Sequence, residues 1–357
     1  MKEKKDRINW LLITQGWAML WVVIGHAFVG DLDKQALWPE WERSLMGIAY
    51  SFHMPLFMLV SGWLFYMTRL KNYESKPDFF WGGQKIVYCE GQKVKKKRWS
   101  YWNIIKDKAL RILLPGLVFS LLALFIKFAV PGEVTRQVGL SITDIIRSYL
   151  FPFNNPFREL WFIAALFWMF VLTPLWYWVL KRKWIMWTTV AVLLVLHFYH
   201  PETLFLSFDR VGVHALWFFI GIVMSKEEVV DRLFKPYLWL TLIAGIAIYV
   251  IGYIYVIAFF KTVGGIMFSF GLALIADKYI PWLFFTFRNY TYQIFLIGIF
   301  AQMFVKIMYR HISMPYVAAY ILCILMGLYV PVLVSKLIEK INWKPLSLCV
   351  GLKPIKK

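Results

Sequence analysis

Apolar residues in this chain collect into runs of about twenty, the length an α-helix needs to cross the hydrocarbon core of a bilayer. Ten such segments are read from the sequence, at roughly 10–29, 44–66, 110–130, 159–180, 184–199, 211–225, 237–259, 262–276, 290–309 and 316–338. The sixth and eighth are short, which marks them as the ones to be tilted, re-entrant or miscounted. No segment alternates apolar and polar residues over about ten positions, as a membrane β-barrel strand does. Hydrophobic residues make up 60% of the 357, and the mean hydropathy is +0.60. Soluble domains hold roughly 45–50% apolar residues. The expected fold is therefore all-α: a polytopic transmembrane helix bundle of about ten spans, forming one integral-membrane domain over 1–357.

The formal charge of +20 could point to nucleic acid, but its distribution points to topology. With a cytoplasmic N-terminus and ten spans, 30 of the 40 Lys and Arg fall in cytoplasmic segments, twelve of them within 67–111. That bias is what the positive-inside rule predicts, so both termini are expected in the cytoplasm and no nucleic-acid partner is expected. The opening "MKEKKDR" before an apolar stretch resembles a signal peptide, but the stretch is long and no small-x-small cleavage site follows, so it is expected to stay as a helix. The three cysteines give no disulfide framework; Cys89 and Cys349 fall on the cytoplasmic side and Cys323 within the last span, and all are expected as thiols.

The longest polar stretch, Met67–Asp107, carries "GQKVKKKRW". Such a basic loop is either a solvated segment drawn to anionic lipid or a landing site for an anionic cytosolic ligand. The outward loops, at 30–43, 131–158 and 200–210, are too short for a separate catalytic domain, which confines any chemistry to the helices.

Ionisable groups inside spans are costly, and each one raises a functional hypothesis. His26 lies near the outer end of the first span and His53 in the outer half of the second. Neighbouring helices with a short connection bring the two imidazoles to similar depth, although either ring could simply bond a backbone carbonyl and pack. Gln15 stands eleven residues before His26, about three helical turns and roughly 16 Å of rise, so the two share a face. It either bonds a neighbouring helix or ends a polar track that starts at His26. Lys108 and Arg111 lie at the inner end of the third span, with Lys95, Lys96, Lys97 and Arg98 behind them in the loop; residues so placed also snorkel to headgroups. On the outer side, Arg158 and Glu159 precede the fourth span, and Asp209, Arg210 and His214 lead into the sixth.

Four stretches, "TQGWAMLWVVIGHAF" (14–28), "FHMPLFMLVSGWLF" (52–65), "KALRILLPGLVFSLL" (108–122) and "LWFIAALFWMFVLTPLW" (160–176), resemble in order and spacing the motifs of the acyltransferase-3 family of multispan membrane O-acyltransferases. "LWFFIGIVMSK" (216–226) resembles a later, weaker one. The resemblance implies transfer of an acyl group, commonly acetyl, from cytosolic acyl-CoA to a hydroxyl of a glycan or lipid-linked glycan at the cell membrane. It implies no permanently bound cofactor, and no metal is expected. In the family pattern a basic residue stands eleven before the histidine; here Gln15 replaces it. A histidine often ends an "IYLLH"-like stretch near the ninth span; here Gly298 ends "QIFLIG".

The implied roles follow the chemistry. A sugar hydroxyl is a poor nucleophile at neutral pH, and a histidine that removes its proton during attack contributes roughly 10²–10⁴ in rate. His26 is the expected general base, with His53 in support or as oxyanion donor. Gln15, Lys108 and Arg111 are the expected acyl-CoA contacts, and Glu159, Asp209 and Arg210 the expected acceptor contacts. A transporter or flippase of a lipid-linked glycan is the competing class, and it is disfavoured because no convincing paired repeat is found. A scaffold would not need buried histidines. Neither the acceptor nor the oligomeric state is legible in the sequence.

Overall fold

The computed structural model describes residues 8–30, 38–74, 86–89, 92–95, 101–129, 139, 141–200 and 202–352. The main helices are α1 (Asn9–His26), α2 (Glu40–Leu70), α3 (Tyr101–Ile126), α4 (Leu160–Val171), α5 (Thr173–Val179), α6 (Lys183–Phe198), α7 (Phe205–Lys226), α8 (Leu238–Ile254), α9 (Ala258–Tyr279), α10 (Arg288–His311) and α11 (Tyr316–Ile341). Each of the ten apolar segments contains helix among the described residues, but the count of ten spans is not reached by length and composition. Among the described residues six helices, α2, α3, α7, α9, α10 and α11, are long and apolar enough to cross a membrane. A seventh span results if α4 and α5, bent by 51° at their junction, are taken as one. Pro174 sits at the start of α5, where its missing N–H and fixed φ suit a new helix but not a continuing one. Of the others, α1 has 18 residues diluted by Asn9, Gln15 and His26, while α6 and α8 have 16 and 17.

The expectation for the sixth and eighth segments needs correcting. They become α7 and α9, each 22 residues long, α7 with a kink at Leu206 and Ser207 before its regular part Phe208–Lys226, and the fifth and seventh are the short ones. Polar residues at the ends caused the error. Asp209 and Arg210 lie inside the first turns of α7, and Lys261 and Asp277 inside α9. They interrupt hydropathy without interrupting the backbone ladder.

A second departure lies in the basic loop. Ile86–Cys89 pairs antiparallel with Gln92–Lys95, with Ile86 opposite Lys95 and Val87 opposite Val94. The β-branched and aromatic residues of "IVYC" favour an extended chain. The fold is thus helical apart from this hairpin among the described residues. Lys96, Lys97 and Arg98 lie outside the described residues.

The chain divides into two compact units, Met1–Val60 with Glu228–Lys357, and Ser61–Glu227. In the first, glycines set the closeness of α8 to α9. A Cβ at Gly245 would run into the Phe268 amide, one at Gly264 into the Tyr249 amide, and one at Gly271 would lie 2.8 Å from the Leu242 Cα. Lipid tails are as apolar as leucine, so membrane helices associate through such backbone approach. In the second unit, Phe218, Phe219 and Trp176 form a fully buried aromatic core, with Phe65 and Phe170 against Phe218 at centroid distances of 6.0 and 5.7 Å.

Candidate active site

Of the expected residues, His26, His53 and Gln15 belong to the first unit, and Lys108, Arg111, Glu159, Asp209 and Arg210 to the second. His26 is the last residue of α1 and is half-buried. The preceding Gly25 brings α1 close to α2: a Cβ there would lie 3.2 Å from the Ala49 Cβ and 3.6 Å from the Tyr50 ring. This close approach sets the His26 ring edge-on to Tyr50, at a centroid distance of 5.8 Å. Tyr50 in turn meets His53 at 5.2 Å. The two histidines thus share one aromatic neighbour.

They are not equivalent. His53 is buried, and its Nδ1 bonds the Ala49 carbonyl one turn back. A carbonyl only accepts, so Nδ1 must carry the proton, and in the neutral ring Nε2 is then an acceptor. An oxyanion bond from Nε2 would require the imidazolium form. Gln15 lies half-buried on α1, one residue before Gly16, where a Cβ would sit 2.9 Å from the Phe284 Cβ.

Around the end of α1 stands a group of residues that the sequence analysis did not single out. Gln302 and Lys306, one turn apart on α10, donate to the carbonyls of Val23 (2.8 Å) and His26 (3.0 Å). The Tyr320 hydroxyl of α11 donates to the Ile24 carbonyl at 3.3 Å. Glu42, taken from the sequence as part of an outward loop, is 1% exposed in the first turn of α2 and accepts from the Tyr316 hydroxyl. An intramembrane lysine with a glutamine four residues before it was a legible signal, by the same rule that picked the histidines.

In the second unit the cations gather at two π-helical turns, Tyr66–Leu70 within α2 and Ala109–Leu113 within α3. Such turns are rare and often found at functional sites. Arg69 pairs with Asp107 at 3.0 Å. Lys108 does not snorkel: its ammonium lies 3.8 Å from the centroid of the Phe170 ring and 5.8 Å from that of Phe65, a cation–π seat. Arg111 is exposed.

The outer groups of this unit form an internal cluster. Asp209 and Arg210 approach to 3.1 Å, and the Arg210 guanidinium lies over Phe153 (4.6 Å) and Trp161 (5.5 Å). His214 stacks on Trp161 at 5.6 Å, and Phe153 stacks on the same ring at 5.9 Å. Leu206 and Ser207, which lead into Asp209, both have left-handed backbone, with φ of 47° and 61°. That conformation is strained in residues other than glycine, and such strain collects at functional sites. Glu159 is buried immediately before α4.

The departure at Gly298 has a steric basis. A Cβ at that position would lie 2.8 Å from the Gly327 carbonyl on α11, so this packing has no room for a histidine. No group of three or more His, Cys, Asp or Glu able to hold a metal occurs among the described residues.

No curated protein and no solved structure matches the chain. A family model described as an acyltransferase domain matches residues 8–336, which takes in α1 and the Lys108 cluster alike. The chain belongs to the acyltransferase-3 family, as its four ordered motifs implied.

Proposed function

We propose that the protein moves an acyl group, acetyl in the first instance, from acyl-CoA to a hydroxyl of a cell-envelope glycan or glycolipid. The observation that carries this reading is the setting of His26: a half-buried imidazole at a helix end, with its ring against Tyr50 and its backbone carbonyl held by Lys306. In this reaction the acceptor oxygen attacks the thioester carbonyl carbon as His26 takes the hydroxyl proton. The carbon–sulfur bond then breaks, and the proton passes to the departing CoA thiolate, leaving an ester and free CoA. His53, with Nδ1 committed to Ala49, supports this neighbourhood through Tyr50.

Lys108 and Arg111, with Arg69 beside them in charge, are assigned to the phosphates of the donor. Arg111→Ala is expected to raise the KM for acetyl-CoA severalfold with little change in kcat. A guanidinium grips phosphate through two parallel bonds, whereas a loop lysine acts as a screened point charge. Lys108→Met keeps the apolar stem against Phe170 and removes the charge, so it should also raise KM without loss of folding. An unchanged KM in the double variant would remove the donor from this cluster. Gln15, Glu159, Asp209 and Arg210 remain assigned to donor and acceptor contacts as the sequence suggested.

The test of the reaction is transfer or hydrolysis of radiolabelled acetyl-CoA by purified protein, followed by mass spectrometry of lipid extracts and surface glycans with and without the gene. On the charge bias we assign both termini and the basic connection between α2 and α3 to the cytoplasm. An impermeant thiol reagent applied to intact cells should therefore miss Cys89 and Cys349. Labelling of either would reverse the orientation and the side of donor entry.

A further inference from the structure

We infer that Gln302, Lys306 and Tyr320 are positioning residues that fix the last turn of α1 and so aim His26; the inference rests on the proposed role of His26 as general base. An α-helix ends with four carbonyls that lack partners within the helix. Here those belong to Val23, Ile24, Gly25 and His26. The Ala27 amide turns to Ile24, and side chains from α10 and α11 supply donors to Val23, Ile24 and His26. Away from water an unpaired carbonyl is costly, so those donors hold this end of α1.

The arrangement is built to hold these donors. Gly327 of α11 lacks the Cβ that would lie 3.0 Å from both Gln302 and Val23, which leaves the amide space to reach α1. The Lys306 ammonium rests 3.5 Å from the centroid of Phe28, two residues past His26. Glu42, buried and held by Tyr316, lies within electrostatic reach of Lys306 and supplies an acidic group on the α2 side of this cluster. Three donors from two helices thus converge on one helical turn, and the residue that ends this turn is the general base.

Catalysis by a positioned base is sensitive to placement: an error of about 1 Å costs on the order of 10²-fold in rate. Lys306→Met, which keeps the stem on Phe28 but removes the donor, is expected to lower kcat about 10- to 100-fold at nearly constant acetyl-CoA KM. Lys306→Arg, which restores a donor, should recover most of that loss. A residue that served only folding would lower the amount of active protein and the melting temperature instead of kcat per folded molecule. A second readout does not use activity: the rate at which diethylpyrocarbonate modifies His26, followed by mass spectrometry, should change in Lys306→Met at unchanged melting temperature. If Lys306→Met fails to fold, Gln302→Met and Tyr320→Phe each remove one bond and carry the same readouts.

The outcomes separate the two claims. Full kcat in His26→Ala would overturn the general-base reading, and the modification rate would still decide whether the turn is held. Loss of activity in His26→Ala with wild-type kcat in Lys306→Met would overturn the positioning role alone. So would a kcat loss that Lys306→Arg does not relieve, or an unaltered His26 modification rate in all three donor variants.

Discussion

Replacing His26 with alanine is expected to reduce acyl transfer by roughly 10²–10⁴-fold, the contribution of a positioned general base. The protein should remain folded, for a reason visible in the hydrogen bonding. Lys306 bonds the backbone carbonyl of His26, so the variant keeps that bond along with those of Gln302 and Tyr320 to the preceding turn. The substitution removes the imidazole, and with it the edge contact with Tyr50. A half-buried ring at a helix end costs little to remove when the backbone beneath it is held from the side. Donor binding should persist, because the cations assigned to acyl-CoA belong to other helices. The measurements are single-turnover transfer from labelled acetyl-CoA and thermal unfolding in detergent. His26→Gln serves as a second variant that keeps hydrogen bonding but has no base. Wild-type turnover in both would end the histidine mechanism. His53→Ala should reduce turnover less, since its Nδ1 serves its own helix.

Much of this neighbourhood was legible because membrane spans announce themselves by length, and because a histidine among apolar residues stands out. Similar depth on neighbouring helices suggested His26 and His53 together, and the ring that touches both, Tyr50, was not singled out. What the sequence hid falls into two kinds. Glu42 sits where hydropathy is low, so it reads as loop, yet α2 begins at Glu40 and the carboxylate is buried against Tyr316, a residue more than 270 positions later. Burial of that kind depends on a contact between distant segments and leaves no local trace. The ends of α7 and α9 were hidden for the opposite reason, since charged residues there look like span boundaries while the backbone remains helical through them. The Gly298 departure was visible as a missing histidine, but its cause, the nearness of Gly327, appears only in three dimensions.

Two glycines on α2 are expected to differ sharply, and the difference tests the aromatic core that seats Lys108. A Cβ added at Gly62 would collide with the Phe218 carbonyl oxygen and lie 2.8 Å from its carbon and 3.2 Å from the Phe218 Cα. These are backbone atoms of α7, so no rotamer change can relieve the contact, and the helices must move apart. Phe218 is 0% exposed and packs on Phe65 and Phe170, the two rings beneath the Lys108 ammonium. Overpacking of this sort costs typically about 1–3 kcal/mol. Gly62→Ala should therefore lower the melting temperature clearly, and Gly62→Val should yield little folded protein. In the fraction of Gly62→Ala that folds, the KM for acetyl-CoA should rise as the seat of Lys108 loosens. At Gly47, a Cβ would meet nothing within 4 Å. Gly47→Ala places the better helix former on the same helix without a clash, and should leave stability equal or slightly higher. Equal melting of Gly62→Ala and the wild type would mean that α7 does not approach α2 at Phe218, and the aromatic seat assigned to Lys108 would fall with it.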